Sequence, residues 1–336
     1  MKKNRIAAIL IIILGSITFW FVLNNKNSTI KKELSDFAFE DTASITKIFL
    51  VDNEKKSILL ERVNATQWTL NKKYKAREDA VNVLLTTIKR VAVKTPVPKP
   101  AFENVVKQIA VKHVKIEIYQ SNDEPVKVYY VGHNNQEHSG TYMLLENSSV
   151  PFLMHIEGFR GFLSARYFTN ENEWRSTAIF NYNYGEIAEI KLEYPSQPEK
   201  SFSITDFGNN KFSLKELKAN TEILNYDTAA LMQYAALFQK IHFEGFEETR
   251  TQAFKDSIIK TTPMQIFTVT DKTGNSKIVK TFIKPAKEGS TDMDGKPIFS
   301  DLDRFYGWID NTNFVVLQYF VFDPLLKSSA DFHKKN

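Results

Sequence analysis

Cysteine is absent from the 336-residue chain, glycine occurs only 12 times, and no long run of lysine or arginine is present. Without cysteine there can be no disulfide, no cysteine-ligated metal, no thiol nucleophile and no lipid-modified N-terminal cysteine. The few glycines form no G-x-G-x-x-G, G-x-x-x-x-G-K-[ST] or G-x-S-x-G pattern, which removes the usual phosphate-cradling loops and the hydrolase nucleophile elbow. An excess of positive charge is missing outside the N-terminus. Residues 1–32 hold Lys2, Lys3, Arg5, Lys26, Lys31 and Lys32 and no acid, leaving 38 basic against 39 acidic side chains in the rest of the chain. A near-neutral body has no basic face from which counterions could be released, so nucleic acid is not an expected partner.

What is present is apolar and aromatic: 43% hydrophobic and 13% aromatic residues, too much for a disordered chain and enough for two core-bearing domains. Ile6 to Leu23 reads IAAILIIILGSITFWFVL, eighteen residues without a charge. As a helix this run would extend about 27 Å, close to the thickness of a hydrocarbon core. It ends in aromatic and bulky residues rather than an A-x-A-like pair, which favours an uncleaved anchor over a signal peptide. Lys2, Lys3 and Arg5 flank it closely on the N-terminal side, so the positive-inside bias predicts a cytoplasmic stub (1–5), a transmembrane helix (6–23) and an exported body joined by a linker (24–36). The expected location is the inner membrane, single-pass.

Along the body, one order of elements is read twice. ITKIFLV and IAEIKLEY alternate as half-buried strands, KKSILLERV and EKSFSITDF follow, and Trp68/Leu70 and Phe212/Leu214 mark a third short strand. The period then becomes helical: Val81, Leu84, Leu85, Ile88 and Val91 in one copy, and Leu231, Tyr234, Phe238 and Ile241 in the other, with Asp227 as a predicted N-cap. A shorter helix (FENVVKQIA, TQAFKDSII), two strands (VKIEIYQ and VKVYYVG; MQIFTVT and KIVKTFI) and an aromatic hairpin complete each copy. The predicted fold is therefore α+β, with two similar antiparallel-sheet-plus-helix units at 37–168 and 179–327, a linker at 169–178 and a tail at 328–336.

Catalytic patterns are thin. His133, Glu137 and His138 could face one ion only if their loop curled, and their spacing is not H-E-x-x-H. His113, His155 and His242 lie beside apolar residues and read as packing histidines. From Ser290, the residues Asp292, Asp294, Gly295 and Asp301 partly resemble a calcium loop, but Ser290 replaces its first acid and Pro297 stiffens its middle, so an acidic turn is expected. Ser257-Ile-Ile-Lys260 and Lys272-Thr273-Gly274 match fragments of penicillin-recognising enzymes without the intervening domain. No catalytic residue, metal ligand or cofactor is predicted. Aromatic runs (Phe180, Tyr182, Tyr184; Phe299, Phe305, Tyr306, Trp308, Phe314, Tyr319, Phe320, Phe322) alternate as sheet core would, with some left for a partner surface. The residues expected to contact a partner are the hairpin tips, Asn147, Ser148 and Ser149 in one copy and Asn311, Thr312 and Asn313 in the other.

STIKKELSDFAFEDTASITKIFLVD, YKAREDAVNVLLTTIKR, GTYMLLENSSVPF and ENEWRSTAIFNY resemble the membrane-anchored bacterial family known as domain of unknown function 4340. The resemblance runs from about Ser28 past Phe180 and more loosely to the end. It implies one N-terminal helix with an exported body, and genes that often stand beside components of gliding-motility-type ABC transport systems; it carries no catalytic or ligand residue onto this chain. The expected function is a membrane-anchored extracytoplasmic binding or scaffold module of the bacterial envelope that engages a membrane-protein complex. The alternative is an envelope glycan-binding or glycan-hydrolysing domain, which would need Trp68, Trp174 or Trp308 in an open groove beside two carboxylates.

Overall fold

The computed structural model describes residues 35–183 and 185–334. The predicted stub and span, Tyr184, nearly all of the 24–36 linker and the end of the tail lie outside them. Among the described residues no helix is long and apolar enough to cross a membrane. The chain divides between Ser176 and Thr177 into two compact units.

The first unit runs β1 (Lys47–Asp52), β2 (Ser57–Arg62), β3 (Trp68–Leu70), β4 (Tyr74–Lys75), α1 (Glu78–Arg90), β5 (Val91–Pro96), α2 (Lys99–Val111), β6 (Val114–Tyr119), β7 (Lys127–Asn134), β8 (Thr141–Leu145), β9 (Phe152–Ile156) and the short α3 (Glu171–Trp174). Nine strands form one sheet in the order β4-β3-β2-β1-β6-β7-β8-β9-β5, every neighbouring pair antiparallel. Alternation in β1 sends Ile48 and Leu50 to one face, and the register sets them beside Leu60 and Ile118, and Ile58 and Ile116, all fully buried. Helix α1 covers that face with Val81, Leu84 and Ile88. The opposite face is partly covered by α2, whose Val105 and Ile109 pack with Val97 against Tyr130, Tyr142 and Leu144. Pro100 sits in the first turn of α2, where its missing N–H has no partner to lose.

In the second unit, β10 (Ala178–Phe180) pairs with β15 (Ile241–His242), apart from the main sheet. The sheet is built from β11 (Ile187–Glu193), β12 (Phe202–Asp206), β13 (Phe212–Glu216), β14 (Thr221–Ile223), β16 (Gly245–Phe246), β17 (Ile266–Asp271), β18 (Ser276–Phe282), β19 (Arg304–Ile309) and β20 (Asn313–Gln318), with α4 (Thr228–Ala236), α5 (Gln252–Ile259) and α6 (Tyr319–Phe322). Its order, β14-β13-β12-β11-β17-β18-β19-β20-β16, repeats the first sheet strand for strand. Leu231, Tyr234 and Phe238 cover one face, and Phe254, Ile258 and Ile259 of α5 join Phe282, Tyr306 and Phe314 on the other. The protein is thus α+β with a duplicated antiparallel sheet.

Two apolar residues continue the helical period without belonging to a helix. Val91 adopts φ −61°, ψ 130° and opens edge strand β5, and Ile241 opens β15 after a 3-10 turn at Leu237–Gln239. Both stay buried, because the strand that follows each helix lands on the same core. Asp227 caps α4 as its sequence predicts, its carboxylate accepting the amides of Ala229 and Ala230.

Candidate functional site

A polar cleft of about 670 Å³ lies wholly within the first unit, between the end of β1, the end of β7 and the C-terminus of α2. Asp52 closes β1 and organises the turn into β2. One carboxylate oxygen accepts the amides of Glu54 (2.9 Å) and Lys56 (3.0 Å), and the other accepts the Thr169 hydroxyl at 2.6 Å. Burial pushes this carboxyl's pKa up, but the Thr169 hydroxyl, the two amides and the Lys56 charge outweigh it, so the net shift is downward and Asp52 stays ionised. Glu54 is held by Lys56 at 2.7 Å.

The helix wall is finished by side chains. Asn53 accepts the His113 amide at 2.6 Å and donates to the Ala110 carbonyl at 3.2 Å, while His113 Nδ1 lies 2.7 Å from the Ile109 carbonyl. These contacts satisfy carbonyls that the end of α2 would otherwise leave open. The ring of His113 stands edge-on to Tyr130.

Opposite, the β7–β8 ladder shifts register between Val131 and Asn134, a bulge that re-aims the end of β7. Gly132 lies within this irregularity, and a Cβ there would stand 2.7 Å from Ile109 Cγ1 and 3.1 Å from the Tyr142 carbonyl, so α2 can approach only over glycine. Asn134 Oδ1 accepts the Ser164 hydroxyl at 2.7 Å, and buried Thr141 accepts the amides of Leu163 and Ser164. His133 is half-buried against Tyr142, its Nδ1 enclosed without a hydrogen-bond partner, and burial lowers its pKa toward the neutral imidazole. A second, shallower hollow of about 450 Å³ shares Val111, Lys112 and His133 with the cleft and adds Lys107 and Gln108. Together the two hollows are lined by the imidazoles of His113 and His133, by Lys107 and Lys112 of the helix end, and by the Asp52 and Glu54 carboxylates, with Lys56 paired to Glu54. Asp52, ionised and engaged by three donors, holds the turn and the cleft wall in place rather than standing ready to take up a proton.

The residues predicted from sequence fall elsewhere. Asn147, Ser148 and Ser149 form the β8–β9 turn outside the cleft lining, and Ser148 closes on Val150 within the turn. Asn311 has φ +55° and accepts Lys280 Nζ at 3.1 Å, Thr312 donates to the Ile309 carbonyl, and Asn313 opens β20. The tips occupy matching places in the two sheets, and in each a hydroxyl, that of Ser148 or Thr312, closes the turn. Of the histidine set, His133 lies on β7, while Glu137 and His138 sit in the following turn, where His138 takes φ +52°. Among the described residues no group of three His, Asp or Glu side chains converges as a metal site.

The partial calcium loop is an acidic turn. Asp292 accepts the amides of Asp294 and Lys296, and Asp301 pairs with Lys284. Ser257 donates to the Phe254 carbonyl within α5, and Thr273 and Gly274 form the β17–β18 turn. Trp68 and Trp174 are buried at 3% and 0% exposure, and Trp308 is partly covered, with Lys280 over its ring. Sequence reasoning missed Asp52, Asn53, Asn134, Ser164 and Thr169. The one local signal was Asp52-Asn53-Glu54, an Asx-turn composition following a strand.

The family model described as "Domain of unknown function (DUF4340)" matches residues 68–263, from β3 of the first unit through α5 of the second. Neither the curated proteins nor the solved structures contain a match to the chain. With more than half of its length matched, the chain belongs to the DUF4340 family.

Proposed function

We propose that the protein is a membrane-anchored, extracytoplasmic binding or scaffold module of the bacterial envelope, accessory to an ABC-type transport or gliding-motility-like complex. Its predicted span at 6–23 is the anchor, its N-terminus is cytoplasmic, and its duplicated sheets form the exported body. The observation that carries the reading is the state of the polar groups around the first-unit cleft. Asp52, Asn53, Asn134, Thr141 and Thr169 are engaged with one another and with the backbone, while Lys107 and Lys112, which line the neighbouring hollow, are exposed. Such a site holds a ligand or partner without an acid/base pair to transform it.

Two measurements test this. Membrane-impermeant labelling of single-cysteine variants in spheroplasts should modify positions in the body and leave position 3 unmodified; labelling of the reverse pattern removes the topology. Mild crosslinking of intact cells, with purification through a C-terminal tag, should recover a defined membrane protein whose yield falls with Lys107→Glu/Lys112→Glu; recovery of the chain alone, repeated, defeats the reading. The glycan alternative is weakened by the burial of Trp68 and Trp174, which takes two of its three stacking platforms into cores.

A further inference from the structure

Where the first unit joins β7 to β8 through 135–140, the second joins β18 to β19 through 283–303. The added length is an ordered hairpin. Asp301 donates its amide to the Lys284 carbonyl, Ala286 to Phe299, Ile298 to Ser290 and Asp292 to Lys296, all at 2.8–3.1 Å. Ordered backbone normally brings aromatic side chains under cover, yet Met293 is 107% exposed, Phe299 85% and Leu302 68%. Tyr319 donates its amide to the Asp303 carbonyl, which sets Phe320, 89% exposed, at the base of the same hairpin, and Ile283 enters it from β18. The neighbouring Phe305, Tyr306, Phe314 and Phe322 are buried, so along 283–322 the exposed large apolar side chains are those of the excursion and Phe320. Several large apolar side chains exposed on one ordered excursion are what an interaction surface presents.

Charge selects the occupant. Residues 284–303 carry five acids and three lysines. Lys284 is tied to Asp301 and Lys296 lies 3.9 Å from Asp294, which leaves Glu288, Asp292 and Asp303 against Lys287. An acidic rim is repelled by an anionic lipid surface, and a second copy docked through the same hairpin would set acid against acid. We infer that the 283–303 hairpin together with Phe320 is a docking surface for a different protein, one whose contact face is an apolar groove rimmed by lysine or arginine.

The test places a photo-crosslinking phenylalanine analogue at 299, 302 or 320 of the full-length chain in living cells, with products identified by mass spectrometry down to the crosslinked peptide. The expected result is one protein adduct whose crosslinked segment is apolar and flanked by lysine or arginine. With the analogue at 302, yield should fall about ten-fold or more in Phe299→Ser/Phe320→Ser and again in Glu288→Lys/Asp303→Lys. Both pairs lie on the surface, so unchanged thermal unfolding will separate lost docking from lost folding. Adducts to lipid alone, adducts between copies of this chain, a crosslinked segment rimmed by acids, or a yield indifferent to both pairs would each overturn the inference.

Discussion

Gly132 of β7 lies under α2 in the first unit; in the second, the position fixed by the matching ladder holds Phe282. The registers make the correspondence: Ile116 opposes Tyr129 as Phe267 opposes Val279, so Val131 matches Thr281, Gly132 matches Phe282 and His133 matches Ile283. One strand further, Met143 opposes Val131 while Gly307 opposes Thr281, so the exchange of small for large runs the other way on the opposite face. A Cβ on Gly307 would meet Leu317 Cδ1 at 2.7 Å. The two sheets keep one strand order while side-chain volume at these positions is redistributed between their faces, each face packed closely around the residue it holds. The freedom left over goes to the connections: the first unit closes β7 with a bulge and a polar cleft, the second extends β18 into an acidic, apolar-tipped hairpin.

The strongest way to break the comparison is Phe282→Ala. Phe282 is 1% exposed among Tyr306, Phe314 and the side chains of α5, and its truncation should cost the second unit about 3–5 kcal/mol through lost burial and an unfilled cavity. Urea unfolding combined with amide exchange in β18 reads the loss. Protection falling in β18 and α5 but not in β7 is the expected pattern; a change under about 1 kcal/mol would mean that α5 is not part of the cooperative core.

Next in size is the reverse exchange, Gly132→Ala. The added methyl meets Ile109 Cγ1 inside van der Waals distance, and overpacking of this kind should cost about 1–3 kcal/mol, read as faster exchange of α2 amides. The double variant Gly132→Ala/Ile109→Ala should be less destabilised than the sum of its parts, since removing the Ile109 side chain vacates the space that the methyl needs. Additive losses would show that Gly132 answers to its backbone conformation and not to α2.

The sheet strands were legible because they alternate: Ile48 and Leu50, or Ile190 and Leu192, must share a face once the chain extends. Both copies of the long helix, and the Asp227 cap, followed from local chemistry. The edge strands β5 and β16 and the β10–β15 pair were not legible, because short strands acquire their pairing from distant partners, and Val91 and Ile241 happen to extend the helical period before them. The cleft was hidden for the same reason. Thr169 and Asp52 are 117 residues apart, and nothing near either one signals the other. Among the aromatics, the sequence spacing treats Phe299 and Phe320 like Phe305 and Phe322; only the fold, which puts Phe299 on the β18–β19 excursion and Phe320 on the outer side of α6, separates exposed from buried.

Helix entry gives a smaller contrast. Asp227 caps α4 with two side-chain bonds, whereas Arg77 at the start of α1 has no side-chain cap and its Nε meets Asp79 at 2.9 Å on the surface. Asp227→Ala should therefore cost about 1 kcal/mol in the second unit, and Arg77→Ala should stay within about 0.5 kcal/mol in the first, both measured as shifts of the urea midpoint. Equal losses would mean that the Arg77 side chain does more than its surface pair suggests.

The smallest effect distinguishes His133 from Ile283. Burial lowers the His133 pKa below its ordinary value of 6.5, so the unfolded chain takes up a proton at a higher pH than the folded one. Its contribution is complete above 6.5 and is lost as pH falls from there through the depressed native pKa, which makes the first unit weaken on mild acidification. The informative quantity is a difference, in which every group common to both proteins cancels: the urea midpoint of the native chain minus that of His133→Ile, followed from pH 7.5 to pH 5. That difference should be constant above the ordinary histidine value and move against the native chain below it, with amide exchange in β7 following the same course. In the second unit, where Ile283 already stands at this position, the midpoint should not respond to the substitution at any pH. A difference that stayed flat across the whole range would mean that the imidazole protonates as readily in the folded unit as in water, and that the enclosed Nδ1 finds a proton acceptor or solvent once the cleft is wet.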